Sequence, residues 1–270
     1  MQLGIIVNLR PDIEESFRQL KETGLSGCQL SAWDESLFTG EIAEKIRSLT
    51  KELGVKISTF WCGWPGPQVW DFYEGQLTLG LVPPEYRHVR AEVLKRGSDF
   101  AKLLGVDQLA THAGFIPENP NDPAYHGTAA ALRDVLARCR KNGQKLLFET
   151  GQETPVTLRR LMEDLGNQDV GINFDPANLL MYGKANPVDA LDILGKYVLD
   201  VHAKDGEYPV DGRNLGEEKP LGKGRVDFPR FIARLKELGY DGPVTIEREI
   251  SGGRQRKDIL DAIQLLKGLL

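Results

Sequence analysis

"GINFDPANLLMYG", residues 171–183, carries an apolar run of strand character that stops at an acid, Asp175, and then turns through a proline into a helical pattern. Three further stretches do the same. "KLLFETGQE" (145–153) stops at Glu149, "VLDVHAKDG" (198–206) at His202 and "PVTIEREI" (243–250) at Glu247. Each run has strand length and is followed by loop residues and then by helix. One acid at a strand end is usually a cap or an ion pair. Four metal-ligand types at equivalent places in successive units point to a shared site.

Working outward, the same alternation of short apolar runs and longer segments of helical period covers the chain. We read strands at 2–7, 27–31, 55–60, 107–112, 144–149, 170–175, 198–203 and 243–248. Helices are expected at 12–22, 39–53, 86–104, 124–142, 155–165, 187–196, 228–238 and 255–269. Dividing 270 residues by eight leaves about 34 per unit, close to the ~30 that a βαβ unit needs. Eight units predict α/β architecture as a single (β/α)8 TIM barrel spanning 1–270. An open doubly wound sheet is the alternative, but "NLRPDIEES" stands where its Gly-rich phosphate loop should follow the first strand.

Two connections break the rhythm. Residues 61–85 hold Trp61, Trp64 and Trp70 with Phe72 and Tyr73, and residues 203–227 are rich in glycine and charge. Both leave C-terminal strand ends, the active face of a barrel, so both are expected to wall one pocket.

Composition narrows the function classes. Hydrophobic content of 41% and charged content of 27% are ordinary for a globular chain. A formal charge of −5, from 34 Lys and Arg against 39 Asp and Glu, offers no electrostatic footprint for nucleic acid. The N-terminal apolar run is too short for a membrane span or a signal-peptide core, so no membrane partner is expected. Cys28, Cys62 and Cys139 are odd in number and far apart, which suits buried thiols and a reducing, cytoplasmic setting. Oligomeric state stays open, with a homo-oligomer compatible.

On the barrel reading, Glu149, Asp175, His202 and Glu247 end strands five to eight and can converge at the mouth. Three carboxylates and one imidazole suit one divalent ion, with manganese first among manganese, cobalt, magnesium and zinc. Such an ion, chelating a carbonyl and a neighbouring hydroxyl, would neutralise the enediolate formed when the adjacent carbon loses its proton.

"FET" (148–150), "NFDPANL" (173–179), "VHAKDG" (201–206), "GKGRVDF" (222–228) and "IERE" (246–249) together resemble the sugar phosphate isomerase/epimerase family with the xylose-isomerase-like barrel. That family includes the D-tagatose and L-ribulose 3-epimerases, hydroxypyruvate isomerases and inosose dehydratases. The resemblance implies that the quartet Glu149, Asp175, His202 and Glu247 binds the metal. It also implies that Glu149 and Glu247 are the catalytic acid/base pair acting on a small keto-sugar or polyol derivative. Asn178 stands where the tagatose-type epimerases carry a substrate-binding histidine, so this chain departs from them there.

Further substrate contacts are expected from His112 at the end of strand four and Lys204 two residues after His202. Asn178, Trp61 and Gln152 complete that set, with Trp64, Glu153 and Glu249 close by. His88, at a helix start, and His126, read as loop, are assigned no role. The alternatives are a metal-dependent dehydratase of an inosose-like keto-polyol, which would expel a β-hydroxyl from the same intermediate, and a non-catalytic sugar-binding barrel. A barrel nuclease would need more histidine than the four present.

Overall fold

The computed structural model describes residues 1–270. Eight strands run Gln2–Asn8, Gly27–Ala32, Lys56–Cys62, Gln108–Thr111, Lys145–Glu149, Val170–Phe174, Val198–Ala203 and Pro243–Ile246; we number them 1 to 8. All neighbours pair in parallel, and strand 1 pairs with both strand 2 and strand 8, closing the barrel in sequence order. The expected strands lie within two residues of these bounds.

Local chemistry starts the helices. Asp122, Thr154, Asp175 and Asn186 each accept a hydrogen bond from a backbone N–H of the next turn, and each is followed by proline. An oxygen-bearing cap before proline satisfies one orphan donor and presets the first helical φ. Helix Gly40–Leu53 ends on Gly54 at φ 62°, where a side chain would be strained. The helix expected at 86–104 already begins at Pro84, and the one expected at 124–142, which carries His126, begins at Pro123. Both differences follow from proline at the first helical position.

Strand residues alternate between the helix layer and the barrel interior. Leu146 and Phe148 join the large core beneath the helices, whereas Leu147 packs inside with Trp61 and Ala110. Glu149, two residues after Leu147, therefore inherits the inward direction at the mouth. Emptying the Phe148 position would cost ~3–5 kcal/mol.

The long connections are ordered by one buried charge each. Arg90, fully buried in helix Pro84–Leu104, donates to the carbonyls of Pro65, Pro67, Thr78 and Gly80 at 2.7–3.1 Å. Asp205 accepts from the backbone N–H groups of Gly206, Gly222, Gly224 and Val226 at 2.9–3.0 Å. Gly224 is required there, because a Cβ would fall 2.2 Å from Asp205 Oδ1. The two connections also touch: Phe72 N–H donates to Arg213 O at 3.2 Å, and the Arg213 guanidinium lies 5.2 Å from the Tyr73 ring centroid. No helix is long and apolar enough to cross a membrane.

Candidate metal centre

Glu149 is the last residue of strand 5, and Asp175 follows strand 6 directly. His202 is the penultimate residue of strand 7, and Glu247 follows strand 8. One ligand atom from each lies within 4.8 Å of all the others, so the four could hold a metal ion.

Each motif residue has a mechanical part in this placement. Thr150 Oγ1 accepts from Asp175 N–H and donates to Asp175 O, both at 2.8 Å, tying the end of strand 5 to that of strand 6. Asp175 Oδ1 accepts from Asn178 N–H and caps the short helix Pro176–Met181, which leaves Oδ2 for another partner. Asn178 Nδ2 donates to Glu149 Oε1 at 3.1 Å, and Trp61 Nε1 donates to Glu149 Oε2.

His202 is held from below. Its Nε2 lies 2.8 Å from Gln29 Oε1 and 2.9 Å from Asn173 Nδ2. Gln29 Nε2 reaches Asp200 Oδ2 and Asn173 Oδ1, and Asp200 accepts from Ser58, Thr59 and Thr245. With Nε2–H donating to Gln29, Nδ1 faces the carboxylates of Glu149 and Glu247, and would offer its lone pair to an ion bound there.

The donor set fits a divalent ion. Asp175 Oδ2, His202 Nδ1 and Glu247 Oε2 are buried without a hydrogen-bond partner, one from each of three residues of the quartet. A buried polar atom left unpaired is costly, and a cation at their meeting point would satisfy all three. With the imidazole neutral, as a metal ligand must be, the three carboxylates would have only Lys204 as counter-charge, and Lys204 is shared with Glu249.

Without an ion, side chains supply the counter-charge. Lys204 Nζ lies 2.7 Å from Glu249, 3.2 Å from Glu247 and 3.7 Å from Asp175. Burial disfavours ionisation of Glu247, but Lys204 and His202 outweigh it and hold the carboxyl well below its usual range. Burial also opposes charge on His202, yet Glu247 and Glu149 raise its pKa well above the ordinary value. Burial leads in raising Asp175, since Lys204 and His202 offset it only in part.

A cavity of about 610 Å³ opens over the quartet. Of the expected contacts, Trp61, His112, Asn178 and Lys204 line it. Gln152 does not: it is buried beside the site and donates from Nε2 to Tyr182 Oη at 3.2 Å, while Tyr182 lines the cavity in its place. Gln152 therefore supports a lining residue instead of reaching the mouth. His112 Nε2 sits 3.5 Å from Glu149 Oε1. The sequence reading also passed over Arg10, Trp33 and the Gln29, Asn173 and Asp200 ladder, whereas Trp70 lines the cavity as a member of the 61–85 connection expected to wall it. A signal existed for the ladder: three polar residues inside otherwise apolar strands.

Residues 17–269 match the family described as the xylose isomerase-like TIM barrel. The chain belongs to that family. A solved xylose isomerase domain protein from Planctomyces limnophilus is 34% identical, with a TM-score of 0.94 over 99% of this chain and 96% of its own. A D-tagatose 3-epimerase-like protein shares the fold, with a TM-score of 0.76 at 20% identity over 100% of this chain and 97% of that one. The inosose dehydratase of Lacticaseibacillus casei is 24% identical over 201 residues, which is 63% of this chain and 66% of the relative. The chain spans under two thirds of the length of the curated relatives it matches.

Proposed function

We propose that the chain is a divalent-metal-dependent isomerase or epimerase of a small keto-sugar or polyol derivative. The observation that carries this reading is the convergence of ligand atoms without a hydrogen-bond partner from Asp175, His202 and Glu247 beside an open cavity lined by Glu149, His202 and Glu247. A bound divalent ion, manganese first, supplies Lewis-acid polarisation of a substrate carbonyl and hydroxyl. Glu149, Asp175, His202 and Glu247 would hold it.

The protein's own groups then move the proton. Glu149 and Glu247 come from the two ends of the arc from strand 5 to strand 8, and on this reading they would address opposite faces of the substrate. One takes the proton next to the carbonyl and the other returns a proton. Trp61 and Asn178, each donating to one oxygen of Glu149, aim that carboxylate. Lys204 is placed to stabilise negative charge developing on a substrate oxygen, and positioned acid/base groups of this kind contribute ~10²–10⁴-fold.

A second reading, dehydration of an inosose-like keto-polyol, is favoured by the likeness to inosose dehydratase. One carboxylate would abstract the proton next to the carbonyl, and the β-hydroxyl would leave as water with a proton from the other. Incubation with Mn²⁺ in D₂O against a panel of ketoses and inososes separates the two. Epimerisation or isomerisation returns deuterium on the carbon next to the carbonyl, whereas dehydration yields an unsaturated product. Glu149→Gln and Glu247→Gln should each abolish turnover; retained activity in both would sink the proposal.

A further inference from the structure

The cavity is larger and differently lined than a single keto-sugar held at the quartet requires. At the ~30 Å³ that a water occupies in the liquid, 610 Å³ is room for about twenty oxygen-sized groups. A ketohexose, whose six carbons and six oxygens are bonded and so lie closer together than waters in the liquid, leaves roughly half of it or more open, and for the same reason a ketose carrying a second hexose fits within it. The quartet comes from strands 5 to 8, on one side of the mouth. Arg10, Trp33 and Trp70 follow strands 1, 2 and 3, on the opposite side, and line the same cavity.

That opposite wall is built from indoles. Trp33 packs on Trp61 at 5.0 Å and on Trp64 at 5.4 Å between ring centroids, and Trp70 packs 6.5 Å from Trp64 and 5.6 Å from His112. Trp61 and Trp64 are buried, whereas Trp33 and Trp70 remain 39% and 41% exposed. The rim pair thus has a rigid aromatic base and free ring surface. Gly63 lets Trp33 lie down on it, since a Cβ there would fall 2.3 Å from the Trp33 ring. Large exposed apolar rings beside a polar pocket mark a binding surface, and the C–H face of a pyranose is the part of a sugar that matches one.

We propose that Trp33 and Trp70 form a second sugar subsite, and that the substrate is a keto-sugar carrying a second pyranose ring in glycosidic linkage. This rests on the keto-sugar reading of the quartet. The reacting ketose sits over strands 5 to 8 and its glycosidic partner stacks on the strand 2 and 3 side.

Calorimetric titration of the full, Mg²⁺-loaded chain with D-fructose, lactulose, turanose and isomaltulose tests this, because the last three are ketoses bearing a second pyranose. At least one of them should bind about tenfold more tightly than D-fructose, the scale of a good aromatic contact. Trp33→Ala should shrink that ratio towards one, and Trp33→Phe, which keeps a smaller ring and protects against a folding artefact, should leave it intermediate. If no disaccharide binds more tightly than D-fructose, or if Trp33→Ala weakens both ligands equally, the second subsite is wrong. Deuterium exchange into D-fructose in the same preparation reports on the metal-site reading separately. Exchange without a disaccharide preference would overturn only the subsite, and binding of no sugar at all together with no exchange would overturn both.

Discussion

Asp175 divides its two oxygens: Oδ1 caps a helix, and Oδ2 is buried without a hydrogen-bond partner, where it could ligate an ion. Gln29 is its counterpart on the imidazole side, holding His202 so that Nδ1 is the free nitrogen. Partners of this kind typically change metal affinity 10–100-fold. Gln29→Leu should therefore weaken Mg²⁺ or Mn²⁺ binding by about that factor in a direct titration, and Gln29→Glu, which keeps an acceptor, should recover much of it. Unchanged affinity in Gln29→Leu would refute the role. Glu153 differs from both. Burial pushes its carboxyl up to about 8 from 4.5, and neither oxygen has a hydrogen-bond partner. The folded state thus keeps a proton that the unfolded chain loses first, so stability falls as pH rises from about 4.5 to about 8. Glu153→Gln should show a melting temperature that gains on the parent between about pH 5 and about pH 8.5. A pH-independent difference would contradict this.

The elements that shape the pocket are the two long connections, and in each one buried side chain gathers four main-chain groups. Arg90 satisfies four carbonyls of 61–85, and Asp205 gathers four N–H groups of 203–227. Buried acceptors left unpaired cost ~1–3 kcal/mol each, though water entering a vacated Arg90 site would recover part. Arg90→Ala should cost about 3 kcal/mol or more, a fall of roughly 6–12 °C in melting temperature. Hydrogen exchange should quicken throughout 61–85. A variant with parental exchange there would show that other contacts order the loop.

"GKGRVDF" is explained at this same scale. Gly224 is small because Asp205 Oδ1 occupies the space, Gly222 sits at φ 77° where a side chain would be strained, and Asp227 caps the helix that follows by accepting from Arg230 N–H. None of this required reading a ligand into the motif. Arg90 and Asp205 carried no such signal in the sequence, because their partners are main-chain groups whose positions exist only once the loop has folded.

At the level of the whole molecule, the closed barrel sets four strand ends side by side and concentrates negative charge at the floor of one cavity. A divalent ion that binds only this folded arrangement stabilises it by mass action, by ~2.7 kcal/mol at a hundredfold excess over Kd. Melting temperature should rise by roughly 5–10 °C with saturating Mg²⁺ or Mn²⁺. Asp175→Ala and His202→Ala should remove that response along with the bound ion. A full response in either variant would place the ion elsewhere.

The architecture was legible because apolar runs of strand length and helical stripes alternate eight times, and the interior of a parallel barrel permits little else. The quartet was legible because its members end strands in sequence order, and in-order closure puts such ends next to one another. What the chain could not display in one dimension is the long-range pairing. Gln29 lies 173 residues from His202 and 171 from Asp200, and Gln152 looked like a mouth residue until Tyr182 claimed its amide. The aromatic wall, with Trp33 and Trp70 packed on Trp61, Trp64 and His112 along the cavity, is likewise a product of closure. Local propensity and period decided which segments form and which residues end them; only packing across the closed barrel decided which polar atoms find partners and which are left for an ion and a substrate.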